Sequence, residues 1–134
     1  MDFQALVGLL RQQLPKLMAV YTFGSRAGAL GHPVHAESDL DLAVLVEGYA
    51  DPIELFELAG LIADQVVCPV DLLDLRAAST VMQHQILTTG KRLWARDVAA
   101  GLFEAAMLSE KLYLDEARRP LIQDVMRKGI VYGR

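Results

Sequence analysis

The 134-residue sequence contains a single cysteine and no long apolar run, and each of these scarcities excludes a class of protein. One thiol, Cys68, cannot form an intrachain disulfide, and its setting in VVCPV favours a buried side chain over a catalytic one. No apolar run has the length needed to cross a bilayer, and the acidic Asp2 is untypical of a signal peptide. We therefore expect a cytoplasmic protein.

Basic residues are also scarce. The sequence has 13 Lys and Arg and 17 Asp and Glu, which gives a formal net charge of −4. Long nucleic acids are bound mainly through cations placed against phosphates, so direct binding of long nucleic acid is not expected. A small nucleotide remains compatible, because a metal ion and a few donors can neutralise a triphosphate locally. The 53% of hydrophobic residues and the mean hydropathy of +0.27 indicate apolar surface left over for a partner or for self-association.

Neither internal repeats nor a linker rich in proline and glycine interrupts the chain, so one domain is expected over residues 1–134. The spacing of the apolar residues predicts helices over 2–14, 52–67 and 77–89, strands over 17–23, 40–47, 69–75 and 92–95, and a helical segment over 97–128. In that last segment the charged residues from Glu104 to Arg119 predict a solvated face. The order of elements indicates an α/β (α+β) chain with one small sheet flanked by helices.

Two acidic residues, Asp39 and Asp41, stand at the start of the second predicted strand. Residues i and i+2 of a strand project to the same face, so the two carboxylates would lie side by side. Keeping both ionised at pH 7 requires a cation such as Mg²⁺ or Mn²⁺. If the strand over 69–75 pairs beside them, Asp71 joins the same site, and three carboxylates can hold two metal ions for an in-line displacement at phosphorus.

Gly24, Ser25 and Arg26 follow the first predicted strand and offer groups that suit a phosphate. Glycine allows the backbone to approach a ligand, a following helix start offers free N–H groups, and serine and arginine add a hydroxyl and a fixed charge. The sequence has no Gly-Lys-Ser/Thr as in a P-loop, and GSRAGALG spaces its glycines wrongly for a dinucleotide site. Taken alone, a Gly-Ser turn or an Asp-x-Asp pair is more often a turn or a strand end. It is their order that favours a site.

Read in order, FGSRA, SDLDLAVLV and PVDLLDL resemble the motifs of minimal nucleotidyltransferases of the DNA polymerase β superfamily, and the similarity extends over nearly the whole chain, including ILTTGKRLWARD. Such proteins look like the antitoxin half of HEPN/MNT toxin–antitoxin pairs. The resemblance implies a polymerase β-like nucleotidyltransferase fold with a small mixed sheet, flanking helices and C-terminal helices. It also implies ATP and Mg²⁺ as reactants and transfer of AMP to a tyrosine of a partner HEPN RNase toxin, which silences that toxin.

The resemblance also implies roles for particular residues. Gly24, Ser25 and Arg26 would hold the triphosphate of ATP. Asp39 and Asp41 would bind two Mg²⁺ ions, with Mn²⁺ as a substitute, and Asp71 would complete the metal site and help to deprotonate the attacking hydroxyl. The loop over 27–37 is longer than the family pattern, and Gly28 stands where a second basic residue is common.

Two alternatives to protein adenylylation stay open. One is a non-catalytic antitoxin that neutralises its toxin by binding and occlusion, and the other is an adenylyltransferase that acts on a small molecule. The chain has little length to spare for an acceptor-binding domain, so a partner protein is expected to present the acceptor. The apolar segment LFEAAMLSEKLYL in the C-terminal helices suits contact with a partner or with a second copy. For Asp74, three residues after Asp71, a helix-capping or strand-end role is favoured over metal binding.

Overall fold

The computed structural model describes residues 2–24, 39–110 and 112. Its helices and strands are α1 (Phe3–Gln13), β1 (Leu17–Phe23), β2 (Leu40–Val46), α2 (Pro52–Val66), β3 (Val70–Asp74), α3 (Thr80–Thr89) and β4 (Lys91–Ala95). Residues 99–110 are also helical and are called α4. In this part of the chain, no helix is long and apolar enough to cross a membrane.

The strands form a mixed four-stranded sheet in the order β3-β2-β1-β4. Strand β1 is antiparallel to both β2 and β4, whereas β2 and β3 are parallel and α2 connects them. A parallel pair requires such a crossover, because the chain must return along the sheet before the next strand can start. The predicted order of strand, strand, helix and strand is therefore confirmed, as is the edge strand at β4.

Helices cover both faces of the sheet, and this explains why the two central strands are buried along nearly their whole length. On β2, Leu42 and Val44 pack with α1 and α2, while Ala43 and Leu45 face the side of α3 and α4. The alternation follows from the two-residue period of a strand. Cys68 is buried in the first of these clusters and is a free thiol, as expected.

Helix α3 begins three residues later than predicted, at Thr80. Ser79 is its N-cap, and the Ser79 hydroxyl accepts a hydrogen bond of 3.2 Å from the backbone N–H of Met82. Residues 77 and 78 instead form a turn after β3, in which their N–H groups donate to the carbonyl oxygens of Asp74 and Leu75. Gly90 caps the other end of the helix, as predicted, by donating its N–H to Ile86.

The prediction of a solvated charged face on the last helix is wrong for Glu104. Its Oε2 atom accepts a hydrogen bond of 2.7 Å from the buried hydroxyl of Tyr21, and it lies 2.9 Å from Nη1 of Arg92. Burial, reinforced by the hydrogen bond to Glu104, raises the pKa of Tyr21 well above its ordinary value. These three side chains fix α4 against the sheet. The remainder of the predicted segment over 97–128, from residue 113, lies outside the described residues.

Candidate active site

Two carboxylates meet where the parallel strands β2 and β3 begin. Asp41 is the second residue of β2 and Asp71 the second of β3, and the register places their Cα atoms directly opposite each other. The ladder starts with the N–H of Leu40, which donates to the carbonyl of Pro69 at 2.9 Å. The prediction that pairing brings Asp71 beside Asp41 is therefore confirmed, although the two residues are 30 positions apart in the sequence.

Asp39 lies immediately before β2 and is exposed, as is Asp71, whereas Asp41 is partly buried. Strand geometry puts Asp39 on the same side of the chain as Asp41. The intervening Leu40 points into the hydrophobic core, which anchors the backbone between the two acids. The three predicted carboxylates thus share the edge of the sheet at which both parallel strands start.

The pKa of the Asp41 carboxyl is raised above its ordinary value. Burial is the main cause, followed by the negative charges of Asp71 and Asp39, and a hydrogen bond between the Asp41 and Asp71 carboxyl groups adds to it. The negative charges of carboxylates this close repel each other, and a cation bound between them would offset that repulsion. The arrangement therefore favours a bound cation at neutral pH.

The donor set fits a magnesium ion. Mg²⁺ commonly takes one or two protein carboxylates and completes its shell with phosphate oxygens and water, and the facing oxygens of Asp41 and Asp71 are of this kind. Among the described residues, no three Asp, Glu, His or Cys side chains form a group that would hold a metal by protein ligands alone. A metal at this edge would thus depend on ligands from a phosphate as well as from the protein.

Gly24 lies against the Asp41 carboxyl group at the end of β1. Its φ of +75° is in the left-handed region, and a Cβ added to it would collide with Oδ2 of Asp41 and lie 3.3 Å from its Cγ. The register pairs Phe23, the residue before it, with Asp41. Glycine at this position therefore keeps the space beside the carboxylates open. Ser25, Arg26 and the loop over 27–37 lie outside the described residues.

Thr22 is a positioning residue that the sequence reasoning did not single out. Its side chain is buried, and its hydroxyl donates a hydrogen bond of 3.3 Å to the backbone carbonyl of Asp41. The signal was present in LMAVYTF, where a hydroxyl stands near the end of an otherwise apolar strand. Because a buried hydroxyl requires a partner, this contact ties the end of β1 to the backbone that carries Asp41.

Asp74 lies at the opposite end of β3 from Asp71 and has the second of the two roles predicted for it, that of a strand-end residue. Its carboxylate is buried and accepts hydrogen bonds from the N–H groups of Ala50 at 2.9 Å and Arg76 at 3.0 Å. Arg76 continues the network by donating to the carbonyls of Gly48 and Val46. This network joins β3 to the loop that leads into α2, and it supports the fold at the end away from the candidate site.

The two acids of β3 are expected to respond differently to the same substitution. Asp74→Asn should lower the free energy of unfolding by about 1 to 3 kcal/mol, because one of the two part-buried N–H groups loses its acceptor. Asp71→Asn, at an exposed position, should change it by less than about 0.5 kcal/mol. Urea unfolding of both variants measures the difference. A larger loss for Asp71→Asn than for Asp74→Asn would contradict these assignments.

The raised pKa of Asp41 predicts how the stability of the metal-free protein depends on pH. The ionised carboxylate is disfavoured in the folded state, so its stabilising effect is present below the unfolded pKa near 3.8 and is lost as the pH rises through the folded pKa. At pH 7 in EDTA, Asp41→Asn should therefore raise the melting temperature by roughly 2 to 4 °C. The difference should disappear near pH 3.5. Asp64→Asn, on the exposed surface of α2, is the control and should show neither effect.

Comparison with known families identifies the class of protein that this fold and site define. The model of the family described as polymerase beta, nucleotidyltransferase, matches residues 4–99. That range contains the sheet, Gly24 and all three candidate carboxylates. The chain belongs to the polymerase β nucleotidyltransferase family, and it is a nucleotidyltransferase.

Particular relatives extend the similarity beyond the matched range. The chain is 40% identical over 121 residues to the protein adenylyltransferase MntA of Shewanella oneidensis, covering 90% of this chain and 85% of MntA. It is similar to a chain of a toxin–antitoxin crystal structure with AMP-PNP, at 38% identity and a TM-score of 0.78, covering 94% of this chain and 99% of the other. A third similar chain comes from a structure of the tri-AMPylated Shewanella oneidensis HEPN toxin in complex with MNT antitoxin. The identity is 37% and the TM-score 0.72, and the match covers 92% of this chain and 94% of the other.

Proposed function

We propose that this chain is a Mg²⁺-dependent protein adenylyltransferase that transfers AMP from ATP to a tyrosine hydroxyl of a partner HEPN toxin and thereby inactivates that RNase. The observation that carries the proposal is the pairing of Asp41 with Asp71 beside Gly24. It occurs in a chain that is 40% identical to a protein adenylyltransferase over nine-tenths of its length. The AMPylated toxin in a complex that contains a similar chain supports the choice of acceptor.

In the proposed reaction the tyrosine oxygen attacks the α-phosphorus of ATP. The new bond joins that oxygen to phosphorus, the bond from the α-phosphorus to the bridging oxygen breaks, and pyrophosphate leaves. Asp71, exposed at the edge of the sheet, takes the proton of the hydroxyl, while Asp39 and Asp41 hold the metal with it. When bound, Mg²⁺ would stabilise the negative charge that develops on the phosphate oxygens.

The triphosphate of ATP is assigned to the end of β1. Gly24 leaves room beside Asp41, and the residues that follow it, Ser25 and Arg26, would supply a hydroxyl donor and a positive charge. The similar toxin–antitoxin structure with AMP-PNP, an analogue of ATP, supports ATP as the nucleotide. A cytoplasmic location is proposed as well, since ATP and Mg²⁺ are the reactants. Residues 1–134 would form one domain, and the partner would present the acceptor.

The test uses the purified chain, the product of the neighbouring gene as the candidate HEPN toxin, and ATP labelled with ³²P at either the α- or the γ-phosphate. Label from the α position should appear on a tyrosine of the toxin, and the toxin should lose its RNase activity at the same rate. Label from the γ position only would indicate a kinase and overturn the proposal.

Two further outcomes separate the alternatives. Full inhibition of the RNase by the Asp39→Asn, Asp41→Asn variant, with no mass added to the toxin, would favour an antitoxin that acts by occlusion. Release of pyrophosphate that depends on a small hydroxyl compound and not on the toxin would favour small-molecule adenylylation.

A further inference from the structure

Helix α2 exposes apolar side chains that no part of the described chain covers. Ile53 is 69% exposed, Phe56 81% and Val67, the C-cap residue, 85%. Ile53, Phe56 and Gly60 follow the i, i+3, i+7 spacing of one helix face. A Cβ added to Gly60 would meet no atom within 4 Å, so this point of the face is open to close approach. We call this set of four residues the α2 strip.

The charged residues that α2 and its N-cap place beside the α2 strip are all acidic. The charged residues of α2 and its N-cap are Asp51, Glu54, Glu57 and Asp64. None of these four acids forms an ion pair within the described residues. The ion pairs found there join Arg92 to Glu104, and Arg96 to Glu47 and Asp97. The sequence extends this imbalance, because residues 27–75 contain ten Asp and Glu and no Lys or Arg. The face is therefore both apolar and strongly negative.

One end of the α2 strip lies at the candidate active site. Helix α2 runs back along the sheet from the end of β2 to the start of β3, so its C-terminal end is at the edge where Asp41 and Asp71 meet. Only three residues separate Val67 from Asp71 in the sequence. A partner bound along the strip would thus be held in a fixed relation to the carboxylates, because α2 is anchored by the buried Leu55, Leu58 and Ile62.

The backbone at Val67 provides a second and independent observation. Val67 has φ 58° and ψ 43°, the left-handed conformation that a β-branched residue rarely adopts. Glycine would fit this C-cap without strain, and valine here is exposed and adds nothing to the core. Backbone strain of this kind clusters at active sites and ligand clamps, so we include Val67 in the surface considered for binding.

We infer that the α2 strip and its acidic border are the docking surface for a basic, amphipathic helix of the partner protein. The apolar residues of such a helix would pack on Ile53 and Phe56, and its Lys and Arg would pair with Glu57 and Asp64. Nucleic acid and anionic membranes are excluded as occupants, because both are negatively charged. This inference rests on the proposed function in one respect: it takes the partner to be the HEPN toxin, whose RNA-binding surface must itself be cationic.

The test measures the affinity of the toxin for the purified chain by calorimetry at two salt concentrations. Phe56→Ser and the Glu57→Lys, Asp64→Lys double variant should each raise Kd at least tenfold, and the double variant should also lose the salt dependence of the wild type. Matched controls are Val81→Ser, at an exposed apolar residue of α3, and Gln85→Lys, at an exposed polar residue of the same helix. Both should stay within twofold of the wild type.

Val67→Gly gives a readout that a merely structural role would not produce. Relief of the left-handed strain should raise the melting temperature of the free chain by roughly 2 to 5 °C, while loss of the apolar contact should weaken toxin binding about fivefold. A variant that is more stable and binds less tightly supports the inference, whereas one that binds the toxin as tightly as the wild type contradicts it.

Other outcomes identify a different occupant or separate this inference from the proposed function. If Phe56→Ser converts a dimer of the chain to a monomer and leaves toxin affinity unchanged, the strip binds a second copy and the inference fails. If all α2 variants transfer AMP with the wild-type KM for the toxin, the inference fails and the proposed function stands. If the toxin binds through α2 but is never labelled, the proposed function fails and the docking surface stands.

Discussion

Replacing Asp41 by Asn is expected to lower the initial rate of AMP transfer about a thousand-fold or more, because the charge that holds the metal and balances the developing phosphate charge is lost. Asn has nearly the same size and shape as Asp, so the sheet should be retained. The opposite effects on activity and on metal-free stability make this variant informative. It should melt at a higher temperature in EDTA than the wild type and yet be nearly inactive in Mg²⁺.

The rate is measured from α-³²P incorporation into the toxin at saturating ATP. Asp71→Asn should have an effect of similar size, since Asp71 faces Asp41 across the parallel pair. Asp74→Asn provides the matched control on the same strand, and its rate per folded molecule should stay within about threefold of the wild type. Retention of a tenth or more of the rate by Asp41→Asn would remove this residue from the proposed chemistry.

Replacing Gly24 by Ala is expected to damage both the fold and the site, and Gly48 provides an unusually close control. Both glycines have left-handed backbones, with φ of +75° and +73°. An added Cβ at Gly48 would meet nothing within 4 Å, whereas at Gly24 it would collide with the Asp41 carboxylate. Each substitution costs about 1 to 2 kcal/mol of backbone strain, so only the collision distinguishes them.

We therefore expect Gly48→Ala to be about 1 kcal/mol less stable than the wild type and fully active, and Gly24→Ala to lose about 1 to 2 kcal/mol more and about a hundred-fold in rate. Urea unfolding and the α-³²P assay measure the two effects. Adding Asp41→Ala to both variants removes the atoms that collide, and the extra cost at Gly24 should then disappear. Equal stability and rate for the two single variants would show that Gly24 does not define the space beside Asp41.

The two acids of β3 lie in different surroundings at the two ends of the strand. Asp71 and Asp74 are three residues apart on one short strand, and composition does not distinguish them. Asp71 is exposed opposite another carboxylate, while Asp74 is buried with two N–H donors. A carboxylate that already has its hydrogen bonds within the fold has little capacity left for a metal. A carboxylate that faces another carboxylate is stabilised by a bound metal ion, because the cation offsets the repulsion between the two negative charges.

Local patterns were sufficient for most of the elements. The predicted bounds of β1 agree with those observed, and those of β2, β3, α1 and α2 are within a residue or so, because each element carries its own apolar period. The start of α3 was missed because residues 77 and 78 are compatible with a helix by composition. Only the hydrogen bonds to Asp74 and Leu75 show that they form a turn.

The sequence by itself determined the strands, the crossover helix, the acids at the start of β2 and the glycine at the end of β1, since these depend on the period of apolar residues and on residues close together in the chain. The tertiary structure alone decided which distant groups meet. It set the register that places Asp71 against Asp41, the contacts of Glu104 on α4 with Tyr21 and Arg92 of the sheet, and the exposure of Phe56. Contacts between residues far apart in the chain depend on how the helices cover the sheet, and no local pattern encodes that arrangement.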